Sequence, residues 1–195
     1  MLCDPEILKT LPREELINGY AEVVKQAAIA DSGFFTFLEE NTAGALALLP
    51  EVVERVVHDC LRIKTTVVSR DEKEAGERRK LNFGHTIGHA LEKVHRLRHG
   101  EAVSVGMAAA VRLSLAKGLL SGGDVARLEA LLVRFGLPVR MAVDTEAVVD
   151  ALRKDKKREG EAIHFVLLDG IGSATIVPIA IDEIEGVLND LCESR

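Results

Sequence analysis

The segment Ala102 to Lys117 reads as helix and is built almost wholly from small and aliphatic residues, with no strong polar face. A helix that is apolar nearly all round must be covered on most of its sides. This segment is therefore expected to be buried on most of its sides. Arg13 to Ala30 is the first long helix, with Pro12 placed where a helix can begin. Ser32 offers an N-cap for a short helix through Phe35, Leu38 and Glu39. Pro50 opens a third, in which Val52, Val53, Val56, Val57 and Cys60 recur at helical spacing as far as about Val68.

Arg70 to Arg79 is charged at every position except Ala75 and Gly76, which suits a polar connection or an exposed helix start. Asn82 to His95 reads as helix. Asp124 to Phe135 is amphipathic and is ended by Gly136 and Pro138, and Thr145 to Leu152 is a further short helix. Ala162 to Leu168, a turn at Asp169-Gly170, and Ser173 to Ile179 read as a β-hairpin. Asp182 to Cys192 is a closing helix. The expected fold class is mainly α, one multi-helical domain over residues 1–195 with a small hairpin. With six Phe, one Tyr and no Trp, its core is expected to be aliphatic.

Composition narrows the partners. A net charge of −6 argues against general binding to nucleic acid or a membrane surface, but leaves room for a local basic pocket. No apolar run approaches the roughly 18 residues of a membrane span. Met1 to Pro12 lacks the pattern of a secretory leader. Cys3, Cys60 and Cys192 are far apart and form no CxxC pair, which fits a reducing compartment, so a cytoplasmic location is expected.

The densest chemistry lies in Asn82-Phe83-Gly84-His85-Thr86-Ile87-Gly88-His89-Ala90. On a helix His85 and His89 share a face, and His99 follows. Two imidazoles with a carboxylate from elsewhere make a zinc-type donor set, although His-x3-His also arises by chance on surface helices. Glu22 and Lys25 interrupt an apolar stretch, where charges must be paired or hold a metal unless they form a surface ion pair. Lys64 sits on the Val-rich helix, where a snorkelling lysine is the plain alternative. Glu74, Arg78 and Asn82 are spaced by four and would line one helix face leading to His85, or a solvated charged face.

Taken in order, these residues resemble the 3-dehydroquinate synthase family. The pattern is Glu22-x-x-Lys25, Lys64, Glu74-x-Gly76-x-Arg78-x-x-x-Asn82-x-Gly84-His85-Thr86-x-Gly88-His89-Ala90-x-Glu92, and His99-Gly100-Glu101-Ala102-Val103-x-x-Gly106-Met107. Asp155-Lys156-Lys157 before a strand is also similar. The connection from His89 to His99 is a few residues short for the family, which implies a trimmed loop rather than a lost ligand. The resemblance implies the C-terminal, mainly helical domain of a two-domain enzyme whose N-terminal α/β domain binds NAD. No Gly-rich nucleotide fingerprint is present here, so that domain is expected to be absent from this chain.

By position, the resemblance assigns zinc (or cobalt) to Glu22, His85 and His99. It makes Glu74, His89 and Lys25 catalytic, and gives the substrate Lys64, Arg78, Asn82 and Lys156, with Lys157 a close second. Thr10 and Asn18 would touch NAD. The implied substrate is a seven-carbon sugar-acid phosphate, cyclised to 3-dehydroquinate with loss of phosphate in the shikimate pathway of aromatic amino-acid biosynthesis, by a lyase that is typically a homodimer. The chain alone is expected to be inactive. Sibling sugar-phosphate cyclases forming valiolone- or inosose-type products share the zinc set, and Arg78, Lys64 and Asn82 together favour an acid substrate. A related iron-containing alcohol dehydrogenase differs in its ligand pattern. A stand-alone metal-binding helical module and a purely structural helical domain are the non-enzyme alternatives.

Overall fold

The computed structural model describes residues 4–71, 76–156 and 163–191. Among the described residues, eight α-helices and one antiparallel hairpin follow in the order α1 (Arg13–Ala30), α2 (Ser32–Leu46), α3 (Pro50–Arg70), α4 (His85–His95), α5 (His99–Ala116), α6 (Gly122–Arg134), α7 (Thr145–Lys156), β1 (Ile163–Gly170), β2 (Ser173–Ile179) and α8 (Ile181–Leu191). Two 3-10 helices, Pro5–Thr10 and Glu77–Asn82, were not anticipated. The mainly helical class and the hairpin are as the sequence indicated.

The apolar segment is α5, and it is buried along almost its whole length. It divides two apolar cores. Val103, Met107, Ala110 and Val111 face the first, with side chains of α1, α2, α3 and α6. Ala102, Val105, Ala108, Ala109 and Leu113 face the second, built with α4, α7, β1 and α8. The expectation of an aliphatic interior is closer to the second, where Phe165 is the one buried aromatic among the described residues. Phe34, Phe35 and Phe135 are fully buried in the first, and Tyr20 stacks on Phe135 with ring centroids 4.5 Å apart. The few aromatics are concentrated there, not excluded from the core.

Helices α4 and α5 run antiparallel at backbone contact, because Gly84 and Gly88 on one meet Val103, Ala102 and Gly106 on the other. A Cβ on Gly106 would overlap the Gly84 carbonyl oxygen and stand 2.9 Å from its carbon. Gly84 has φ 78°, a left-handed conformation that glycine adopts without strain. It separates the 3-10 helix from α4, so Arg78 and Asn82 do not share one continuous α-helical face with His85 as the four-residue spacing suggested.

Other boundaries differ, among them the end of α7, which runs past Leu152 to Lys156. α2 continues past Glu39 to Leu46, through a kink at Asn41. α5 begins at His99 rather than Ala102. The hairpin turns at Ile171-Gly172, two residues beyond Asp169-Gly170, because tertiary contact overrides the local turn signal. Gly170 pairs with Ser173, the Gly172 N–H donates to the Ala28 carbonyl at 2.8 Å, and a Cβ on Gly172 would stand 3.0 Å from the Ser32 Cα. The end of the closing helix at Cys192 lies outside the described residues.

The helix contact yields a paired prediction. Gly106→Ala should lower stability by about 3 kcal/mol, because the backbones must separate. Gly19→Ala, in the same protein and with nothing within 4 Å of the added Cβ, should raise it by up to about 1 kcal/mol. Urea denaturation of both variants checks this, and similar midpoints for the two would contradict it.

Candidate functional site

Three helices bring one donor each to a common point: Glu22 from the middle of α1, His85 from the first turn of α4 and His99 from the first turn of α5. Their ligand atoms lie within 4.8 Å of one another. Glu22 Oε1 is 3.4 Å from His85 Nε2 and 3.5 Å from His99 Nε2. This oxygen is buried and accepts no hydrogen bond. An orphaned carboxylate oxygen is costly unless something positive meets it.

A divalent ion fits that need. Donors about 2.1 Å from a shared tetrahedral ion stand about 3.4 Å apart, close to both separations from Glu22. Two imidazoles and a carboxylate also match the donors that zinc and cobalt take, with a fourth position left open.

The histidines are oriented for such a role. Nδ1 of His85 lies 3.2 Å from the Phe83 carbonyl oxygen, which can only accept. The proton therefore resides on Nδ1, and Nε2 presents its lone pair toward Glu22. Burial, and then the Lys25 ammonium, push the His85 imidazole down to about 4. Burial raises the Glu22 carboxyl, but the Lys25 ammonium and the two imidazoles outweigh it, and the net shift is downward. Glu22 remains ionised and His85 neutral, the forms that bind a metal.

Lys25 is buried, and its Nζ donates to Glu22 Oε2 at 2.6 Å. The carboxylate is thus shared, one oxygen toward lysine and the other toward the histidines. Burial lowers the Lys25 ammonium more than Glu22 raises it, and nearby Lys64 adds to the fall.

Beside this cluster lies a cleft of about 220 Å³. Lys64 of α3 and Arg78 and Asn82 of the second 3-10 helix line it, together with Glu22, Lys25 and His85. The structure thus gathers six of the singled-out residues at one cleft, although they come from four elements. Gln26 and Leu81 complete the lining and were missed. The signal for Gln26 was its position one turn beyond Glu22, with a buried side-chain oxygen that lacks a partner.

The other expected residues are placed as follows. His89 is exposed, with its ring centroid 5.3 Å from that of His85 and 6.4 Å from that of His99. It stands beside the cluster and outside the donor triangle. Thr10 is exposed in the first 3-10 helix, where its hydroxyl donates to the Ile7 carbonyl. Asn18 lies against Gly100 at the start of α5, with its side-chain oxygen buried and unpartnered. Glu74 and Lys157 lie outside the described residues. Lys156 is the last residue of α7, and its side chain also lies outside them. Among the described residues no helix is long and apolar enough to cross a membrane.

The arrangement is that of a helical domain with a candidate divalent-metal centre beside a cationic cleft. Comparison with known proteins extends this. Residues 19–158 match the family 3-dehydroquinate synthase C-terminal. A 3-dehydroquinate synthase of Pelobacter propionicus is 42% identical over 188 residues, covering 94% of this chain and 52% of that protein. One of Paenarthrobacter aurescens is 42% identical over 182 residues, covering 92% and 50%. The chain spans about half the length of the curated relatives it matches. Among solved structures, 2-epi-5-epi-valiolone synthase from Streptomyces hygroscopicus, with NAD+ and Zn2+ bound, superposes with a TM-score of 0.87 at 29% identity, covering 96% of this chain and 54% of that one. A 2-deoxy-scyllo-inosose synthase complexed with carbaglucose-6-phosphate, NAD+ and Co2+ gives 0.82 at 27% identity, covering 96% and 55%. The chain belongs to the 3-dehydroquinate synthase family, within its C-terminal domain.

The low value at His85 predicts a pH dependence. Above pH of about 6.5 the ring is neutral whether folded or unfolded. As pH falls from there toward about 4, the unfolded chain takes up a proton that the folded chain refuses, so stability falls with pH. For metal-free protein, the urea midpoint should drop further between about pH 7 and about pH 4.5 in the wild type than in His85→Gln, which lacks the titrating ring. Equal drops would contradict it.

Proposed function

We propose that this chain is the metal- and substrate-binding half of a 3-dehydroquinate synthase. The enzyme would convert 3-deoxy-D-arabino-heptulosonate 7-phosphate to 3-dehydroquinate and phosphate. The observation that carries the reading is the Glu22–His85–His99 triangle opening onto a cleft lined by Lys25, Lys64 and Arg78. The substrate bears a carboxylate, a phosphate and several hydroxyls, and this cleft offers matching cations.

Arg78 and Lys64 bind the carboxylate, for which the planar guanidinium is suited to two parallel hydrogen bonds. Lys25, held on Glu22, donates to substrate hydroxyls near the metal donors, and Asn82 adds a hydrogen bond. Lys156 takes the phosphate. His89, at the exposed edge of the histidine cluster, moves a proton as the phosphate leaves, and Glu74 is the second proton acceptor. Thr10 and Asn18 are the parts of this chain that reach NAD. When bound, zinc supplies polarisation of an alcohol or ketone oxygen, and NAD carries hydride. Fixing the substrate against so many groups supplies much of the rate by orientation alone.

In this reading an NAD-binding half completes the active site and the assembled enzyme is a homodimer. By itself the 195-residue chain binds zinc and does not turn over. The solved neighbours are sibling cyclases, so a product of that type is the second reading. The Arg78–Lys64 pair favours the acid.

Metal analysis of the purified chain should find about one zinc per chain, lost in His85→Ala. Supplying a relative's NAD-binding half should then give NAD-dependent phosphate release from the heptulosonate phosphate. Release should fall at least about 10-fold in Arg78→Ala. Equal or faster release from a sugar phosphate lacking the carboxylate would favour the sibling reading. Phosphate release by the chain alone would overturn the claim that it is inactive by itself.

A further inference from the structure

The donor triangle leaves one orientation unexplained. His85 is held by a backbone carbonyl of its own segment. His99 has no such neighbour, and its side chain is 49% exposed. A half-exposed imidazole at the start of a helix has several rotamers and two tautomers open to it.

Glu92 supplies the missing constraint. It lies on α4, seven residues after His85, and its Oε1 is 2.8 Å from His99 Nδ1. An ionised carboxylate can only accept, so Nδ1 of a neutral ring must carry the proton. Nε2 is then left with its lone pair, and it is Nε2 that stands 3.5 Å from Glu22 Oε1. The Glu92 side chain is 28% exposed, so the contact is partly shielded from water. The two histidines thus meet Glu22 in the same way, each anchored through Nδ1 and presenting Nε2, but with acceptors of different charge.

We propose that Glu92 is a positioning residue. It fixes His99 in the Nδ1–H tautomer and aims Nε2 at the point shared with Glu22 and His85. The proposal rests on the metal reading above for its consequence, but the tautomer itself is a property of the metal-free chain. A carboxylate behind a ligating imidazole also makes the ring a stronger donor. Loss of such an outer partner typically weakens metal binding about 10- to 100-fold.

The test uses the purified full chain and two readouts. Nitrogen-15 NMR of the metal-free protein at about pH 9, well above the ordinary imidazole range, reports the tautomer of His99. Competition with a chromophoric chelator reports zinc affinity. The wild type should show the Nδ1–H form at His99. Glu92→Gln keeps an accepting oxygen without the charge, so it should retain that tautomer and bind zinc more weakly than the wild type. Glu92→Ala should lose the tautomer preference and bind zinc about 10- to 100-fold more weakly. A merely structural contact would not move the tautomer, and if the alanine variant does not fold, the glutamine variant still reads the charge. An unchanged His99 tautomer in Glu92→Ala, with zinc affinity within about twofold of the wild type, would overturn the proposal. A wild-type chain that binds no zinc but shows the stated tautomer changes would overturn the metal reading and leave the role of Glu92 standing.

Discussion

The site depends on how closely three helix backbones approach one another. α5 is flanked by α1 and α4, and at each contact a glycine stands where any side chain would collide. Gly100 meets the Asn18 backbone of α1, with a Cβ placed 2.6 Å from the Asn18 Cα, and Gly106 meets Gly84 and Gly88. Metal donors must lie within a few ångströms of one another, whereas ordinary helix packing separates axes by about 8–10 Å. Short side chains such as Glu and His span that gap only if the helices are near the lower limit. The glycines that look like weak points in a helix are what allows Glu22, His85 and His99 to meet.

Charge completes what packing begins. Glu22 is held in an apolar stretch by the buried Lys25 ammonium on Oε2, while Oε1 faces the two histidines without a hydrogen bond. Burial works against the charge on both members of the Glu22–Lys25 pair, and such pairs are retained for geometry more readily than for stability. Here the geometry places a lysine, a carboxylate and an imidazole together in the lining of the cleft.

Much of this was legible in the residues. The apolar character of Ala102 to Lys117 foretold a buried helix. The ordered pattern of charged and histidine residues pointed to one site, although spacing alone could not choose between His85 and His89 as a donor. The two differ in position along α4: His85, in its first turn, lies 3.4 Å from Glu22, whereas His89, one turn on, stands outside the donor group, a tertiary fact. The four-residue steps from Arg78 to Asn82 suggested an α-helix, but the left-handed Gly84 ends that segment as a 3-10 turn, and both residues still reach the cleft. The Asp169-Gly170 turn was a sound local reading, displaced by two residues because only a glycine at 172 fits against Ser32. Counting aromatics gave the wrong core on one side of α5, because a count does not show clustering.

The link between α4 and α5 is only residues 96–98, with Arg96 in a left-handed conformation. His85 and His99 therefore belong to one helical hairpin and become neighbours through contacts local in sequence. Glu22 is supplied by a helix more than sixty positions away along the chain. Two donors form with the hairpin, and the third arrives only when α1 has docked. An ion that requires all three donors has little affinity for a chain in which the hairpin is formed but α1 is adrift. Its binding energy is thereby linked to the long-range step of folding, the one that closes the larger loop.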